Sequence, residues 1–77
     1  MENPSVILFY STNYAIWTKN VLQKLHIEHK MASVPRHLSS ECGYCVMIQN
    51  QDKEKIIQIL HQNGIEYDRI ESLIGLS

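Results

Sequence analysis

The sequence predicts an α+β fold, ferredoxin-like βαββαβ. Its antiparallel four-stranded sheet has the order 4-1-3-2, with two helices on one face. Two observations lead there. The chain aligns with itself at an offset of 38: Val6-Ile7-Leu8-Phe9-Tyr10 falls on Tyr44-Cys45-Val46-Met47-Ile48, Val21-Leu22 on Ile59-Leu60, and His26-Ile27-Glu28 on Gly64-Ile65-Glu66. Each half also reads as strand, helix, strand, and two such units in tandem make the split βαβ arrangement. Right-handed crossovers then fix its geometry.

The first strand covers about residues 5–10, a run of β-branched and aromatic side chains. Ser11, Thr12 and Asn13 are N-cap candidates for the helix that follows, which runs to about Leu25. Thr18, Val21, Leu22 and Leu25 recur at helical spacing and are expected to face the core. His26 terminates this helix, and its repeat partner is Gly64, the residue type that suits a left-handed cap. Histidine tolerates positive φ better than most non-glycines. A second strand covers about residues 27–34, ended by Pro35. The third covers about 43–49. Helix two starts near residues 50–52 and ends at Asn63-Gly64, with Ile56, Ile59 and Leu60 facing inward. The last strand covers about 65–71, and the tail 72–77 is left unassigned.

At 77 residues the chain is one domain, with its core at about 5–71. Hydrophobic residues make up 44% and charged ones 19%, a balance that argues for a folded chain. A net charge of −1 with no basic face argues against a nucleic-acid binder. No apolar run approaches the roughly 18 residues of a membrane helix, and the N-terminus does not read as a signal peptide. The expectation is a cytoplasmic chain whose two cysteines stay reduced, which favours chemistry over a structural disulfide.

Chemistry concentrates in Pro35-Arg36-His37-Leu38-Ser39-Ser40-Glu41-Cys42-Gly43. In the predicted topology Ser11, Thr12 and Asn13 sit at the same end of the sheet as Cys42. A free thiol has a pKa near 8.5, so little of it is nucleophilic at neutral pH. A helix N-terminus stabilises an anion by about 0.3–1 kcal/mol, whereas one pKa unit requires about 1.4 kcal/mol. A second contribution is therefore needed, and Arg36 is the candidate. Ser39, Ser40 and the loop amides near Gly43 are candidate donors to sulfur. Pairing of Arg36 with Glu41 competes with an anion-binding role, and Ser11 and Thr12 are helix caps before they are substrate contacts.

Pro35-Arg36, Ser39-Ser40 and Cys42-Gly43 match a PR-x-x-SS-x-CG signature, preceded by Phe9-Tyr10-Ser11-Thr12 and Ala15. On these residues the chain resembles the selenium/sulfur carrier-like family, over about residues 6–70. The resemblance implies a bacterial cytoplasmic carrier protein rather than a stand-alone enzyme. Cys42 would hold a persulfide or selenopersulfide, received from a cysteine desulfurase-type donor and passed to a downstream acceptor protein. No cofactor is implied. The chain departs from the family in having Ser33-Val34 before Pro35-Arg36, and in carrying Cys45 where a small apolar residue is usual.

Other readings stand beside this one. The 35–43 loop of a small interaction or regulatory domain would only bind a partner. Cys42-Gly43-Tyr44-Cys45 invites a redox CxxC reading, but in a strand the two α-carbons lie about 10 Å apart, beyond the roughly 7 Å limit for a disulfide, unless a turn at Gly43 brings them together. Metal ligation lacks ligands, since only His37 lies near the two cysteines. Ile16 and Trp17, with Ile57 and the apolar tail, form a patch suited to a partner or to a homodimer.

Overall fold

The computed structural model describes residues 3–34 and 43–72. Its elements in chain order are β1 (Pro4–Leu8), α1 (Thr12–Lys24), β2 (His29–Ser33), β3 (Tyr44–Gln49), a 3-10 turn (Asn50–Asp52), α2 (Lys53–Asn63) and β4 (Arg69–Ser72). The strands form one sheet in the order β2-β3-β1-β4, the expected 4-1-3-2 read from the other edge, and all neighbours are antiparallel. This order is compatible with the ferredoxin-like arrangement.

The central strand is buried from Ser5 onward. Val6, Ile7, Leu8 and Phe9 are all 0% exposed, so both faces of the sheet are covered here. One face belongs to the helices. Ile7, Phe9, Val46 and Ile48 pack in a single cluster with Ala15 and Leu22 of α1 and Ile56 and Leu60 of α2. Val6, Leu8 and Cys45 form a second cluster on the opposite face, with Ala32, Val34 and Met47 against it. Full burial of a leucine-sized side chain stabilises by about 1.5–3 kcal/mol relative to exposure, so β1 anchors both clusters.

The two helices end alike. At the end of α1, His26 N–H donates to the carbonyl of Gln23 (3.1 Å) and Ile27 N–H to that of Leu22 (2.9 Å). At the end of α2, Gly64 N–H donates to His61 (3.2 Å) and Ile65 N–H to Leu60 (2.9 Å). Both are Schellman turns, which satisfy carbonyls left open by the last helical turn. His26 has φ 57° and Gly64 φ 70°, as their alignment predicts.

The repeat itself is corrected in its strands. The helices do superpose at 38, since Thr18 and Leu22 map onto the equally buried Ile56 and Leu60. In the strands that offset would set Ile7, on the helix face, against Cys45, on the other. Register pairs Ile7 with Val46, and the local two-fold relates these two residues to each other. It likewise relates Lys30 to Arg69. The strands thus repeat at 39, and the β3–α2 connection is one residue shorter than the β1–α1 connection. A one-residue slip exchanges the two faces of a strand, so this difference decides which side chains meet the helices.

Three boundaries also move. The first strand stops at Leu8, where Asp68 N–H donates to the Leu8 carbonyl (2.6 Å). The second and fourth strands begin later than expected, because Ile27 and Ile65 are taken up by the Schellman turns. Leu25 is 51% exposed rather than core, since it lies in the cap instead of the last full turn. Ala15 takes a core position in the first turns of α1, while Ile16 and Trp17 stay outward, 43% and 42% exposed. Thr18 is fully buried with its hydroxyl unpaired. No described helix is long and apolar enough to cross a membrane.

Left-handed backbone costs a β-carbon-bearing residue about 1–2 kcal/mol, whereas glycine gives back about 0.4–1 kcal/mol through the unfolded chain. His26→Gly is therefore expected to stabilise the fold by about 0.5–1 kcal/mol. Urea denaturation should show a raised midpoint with an unchanged slope.

Candidate functional site

Strand direction sets one end of the sheet apart. β1 and β2 finish there, β3 and β4 start there, and α1 begins there. Val34 N–H donates to the Gly43 carbonyl (3.0 Å), which ties the two ends of the 35–42 connection together. Continuing the β1–β3 register past Leu8 and Cys45 points Gly43 toward Tyr10, the residue before Ser11. Of the expected site residues, Ser11, Thr12 and Gly43 are thus brought to this end. Arg36, Ser39, Ser40 and Cys42 lie outside the described residues.

Ser11 occupies the N-cap position of α1 with extended backbone (φ −147°, ψ 157°), and its side chain makes no capping hydrogen bond. Thr12 is the first helical residue. The first turn of α1 carries no acidic side chain, so nothing within it offsets the positive end of the helix dipole. α2 differs, with Asp52 at its N-cap and Glu54 in its first turn.

Gly43 is exposed and has φ +78°. A β-carbon added there would meet nothing within 4 Å. The chain thus enters β3 through a left-handed residue, a conformation that suits glycine.

Cys45 is fully buried in the helix-free face, and its thiol donates to the Ser33 carbonyl at 3.7 Å. It is a packed strand side chain, inaccessible to thiol exchange from solvent. Among the described residues no three His, Cys, Asp or Glu side chains converge to hold a metal ion.

Sequence reasoning missed the aromatic flanks of this end. Tyr10 is 51% exposed and Tyr44, at the start of β3, 48%. Tyr10 also lines an open groove of about 890 Å³ with Ile57, His61, Ile65, Glu66 and Tyr67. A tyrosine closing an apolar strand reads as core, and only the turn at residues 10–11 exposes it.

A family described as "Putative Se/S carrier protein-like" matches residues 5–71, an interval that includes the described end and the 35–43 signature. No curated protein and no solved structure matches the chain.

The left-handed conformation at Gly43 yields a direct test. Gly43→Ala is expected to destabilise by about 0.5–1 kcal/mol without a steric clash. Gly43→Asn should lose less, because asparagine tolerates positive φ. The order of the three urea midpoints checks both.

Proposed function

This chain belongs to the Se/S carrier protein-like family, and on that premise we propose that it carries sulfur or selenium on Cys42 as a persulfide or selenopersulfide. The observation that carries the reading is the family match across residues 5–71, with its one cysteine-containing signature at 35–43. Cys42 is bonded to Gly43, the residue that the sheet register directs toward the start of α1.

In the proposed step the Cys42 thiolate attacks the terminal sulfur of a donor persulfide. The donor S–S bond breaks as a new S–S bond forms at Cys42. The donor leaves as a thiolate, and the proton stays on the transferred sulfur. One S–S bond replaces another, so no outside oxidant is needed. A selenopersulfide transfers its terminal selenium in the same way.

The positive end of α1, free of acids in its first turn, lowers the cost of the thiolate by about 0.3–1 kcal/mol. Arg36 supplies the larger share, and Ser39, Ser40, Ser11, Thr12 and the Gly43 amide complete the anion site. A cysteine desulfurase-type donor and a downstream acceptor protein meet the carrier at this end, where Tyr10 and Tyr44 offer aromatic contact. A bacterial cytoplasm is the compartment that suits a carrier thiol kept reduced.

Incubation with an active desulfurase and free cysteine should add the mass of one sulfur atom to the intact chain. Reductant should remove it. Cys42→Ala should abolish the gain while Cys45→Ala retains it. Arg36→Ala should slow loading roughly tenfold, the equivalent of about 1.4 kcal/mol. Absence of added sulfur with a working donor would sink the proposal.

A second measurement needs no donor. The alkylation rate of Cys42 should stay high at pH values well below the ordinary thiol pKa of about 8.5. An ordinary thiol profile would remove the activated-thiolate part of the mechanism.

A further inference from the structure

β4 lies at the edge of the sheet, paired with β1 on one side, and no described strand pairs with its other side. Open edges are templates for pairing with another chain, and stable proteins usually blunt or use them.

The ladder shows which backbone groups of β4 face outward. Asn50 N–H donates to Asn3, and Val34 N–H to Gly43. In an antiparallel ladder successive residues alternate in the direction of their backbone groups. Carried along the register, this phase turns Leu8 and Val6 toward β4, where they meet Arg69 and Glu71. Ile70, between those two residues, is left with its N–H and C=O directed away from β1.

Ile70 also packs against the helix-face cluster, whereas Arg69 and Glu71 lie on the other face with Nε and Oε1 3.3 Å apart. Their side chains are 36% and 40% exposed. A two-fold axis through Ile70 lets the two Ile70 residues exchange both backbone hydrogen bonds. It sets Arg69 opposite Glu71 of the second copy, and Glu71 opposite Arg69. These flanking positions are non-hydrogen-bonded pairs, in which side chains approach most closely. An axis through Arg69 or through Glu71 would instead oppose like charges. Within the other edge strand, β2, Lys30 has no acidic partner position; the nearest acid at that spacing, Glu28, lies outside the strand and its carboxylate accepts from Gln49 at 2.6 Å.

We propose that β4 is a self-association edge, through which a second copy of this chain adds antiparallel about Ile70 to form one eight-stranded sheet. The charges are self-complementary in that register alone, which commits the edge to a second copy rather than to an unrelated peptide. Antiparallel pairing places the two candidate sites at opposite ends of the joined sheet. Dimer formation and sulfur loading at Cys42 are therefore independent, and each is testable without the other.

Light scattering on the full chain at micromolar concentrations should give twice the monomer mass. Arg69→Glu and Glu71→Arg should each give a monomer, with the far-ultraviolet spectrum reporting that the fold is kept. The exchange Arg69→Glu with Glu71→Arg should restore the dimer. Should the single reversals unfold, Ile70→Cys in a Cys42→Ser background is the second probe. It should form a disulfide-linked dimer on mild oxidation, whereas Lys30→Cys in the same background should not. A monomeric wild-type chain overturns the proposal. So does a dimer indifferent to both reversals, an exchange that fails to restore pairing between folded chains, or an Ile70→Cys variant that does not cross-link.

Discussion

Burial of β1 on both faces is the constraint from which the structure follows. Its residues Val6 to Leu8, and Phe9 just beyond them, have no solvent exposure at all. One face needs the helices, and so α1 and α2 both share a cluster with Ile7 and Phe9. The other face needs apolar neighbours within the sheet, and Cys45 and Met47 of β3 supply them with Ala32 and Val34. Cys45 is thereby explained without redox chemistry. It fills the position beside Leu8, and its weakly polar thiol is met by the Ser33 carbonyl.

Central placement of β1 also determines the edges. With β3 on one side and β4 on the other, β2 and β4 are left outermost. Their sequences treat that exposure differently. β2 reads His29-Lys30-Met31-Ala32-Ser33, with a lysine of the kind that blunts an edge. β4 reads Arg69-Ile70-Glu71-Ser72, with opposite charges on either side of an isoleucine. Arg69 is already held by Asp68 at 2.8 Å and by Glu71 at 3.3 Å, so its charge is not idle in the single chain. In β4 both charges lie within the strand and stay matched when it meets its own image, whereas the acid nearest Lys30 at that spacing, Glu28, precedes β2.

Much of this was legible in the sequence, and the limits have physical causes. The helix ends were readable because a positive-φ position restricts residue choice, and His26 and Gly64 satisfy it at matching places. The sheet order was readable because tandem strand–helix–strand units leave few allowed topologies. Strand register was not readable from the repeat. Apolar residues on both sides of Ile7 make β1 look the same when shifted by one, so similarity could not choose between 38 and 39. Cross-strand pairing chose, since only one register puts Val46 and Ile48 under the helices. At the candidate site the residue types were legible as a motif, and the local backbone was not: Ser11 takes the cap position without a side-chain capping hydrogen bond, and Gly43 holds a positive φ.

The corrected repeat gives the two ends of the sheet different characters. At one end the start of the second helical segment is secured: Asn50 is bonded through its backbone to Asn3, and its side chain accepts from the Ser5 hydroxyl at 2.9 Å. Asp52 and Glu54 then offset the dipole of α2. At the other end α1 starts on an uncapping serine and has no acid in its first turn. The two helix N-termini thus differ: acids of the protein offset the dipole of α2, and that of α1 retains its attraction for an anion. Val34 and Gly43, the two residues that flank the 35–42 connection, are joined by a backbone hydrogen bond at the second of these ends. A thiolate placed at the other junction would face the carboxylates of Asp52 and Glu54. The missing residue in the β3–α2 connection belongs to this divergence. It lets the 3-10 turn fold tightly back onto Asn3, whereas the longer β1–α1 connection turns Tyr10 out to solvent beside the candidate site.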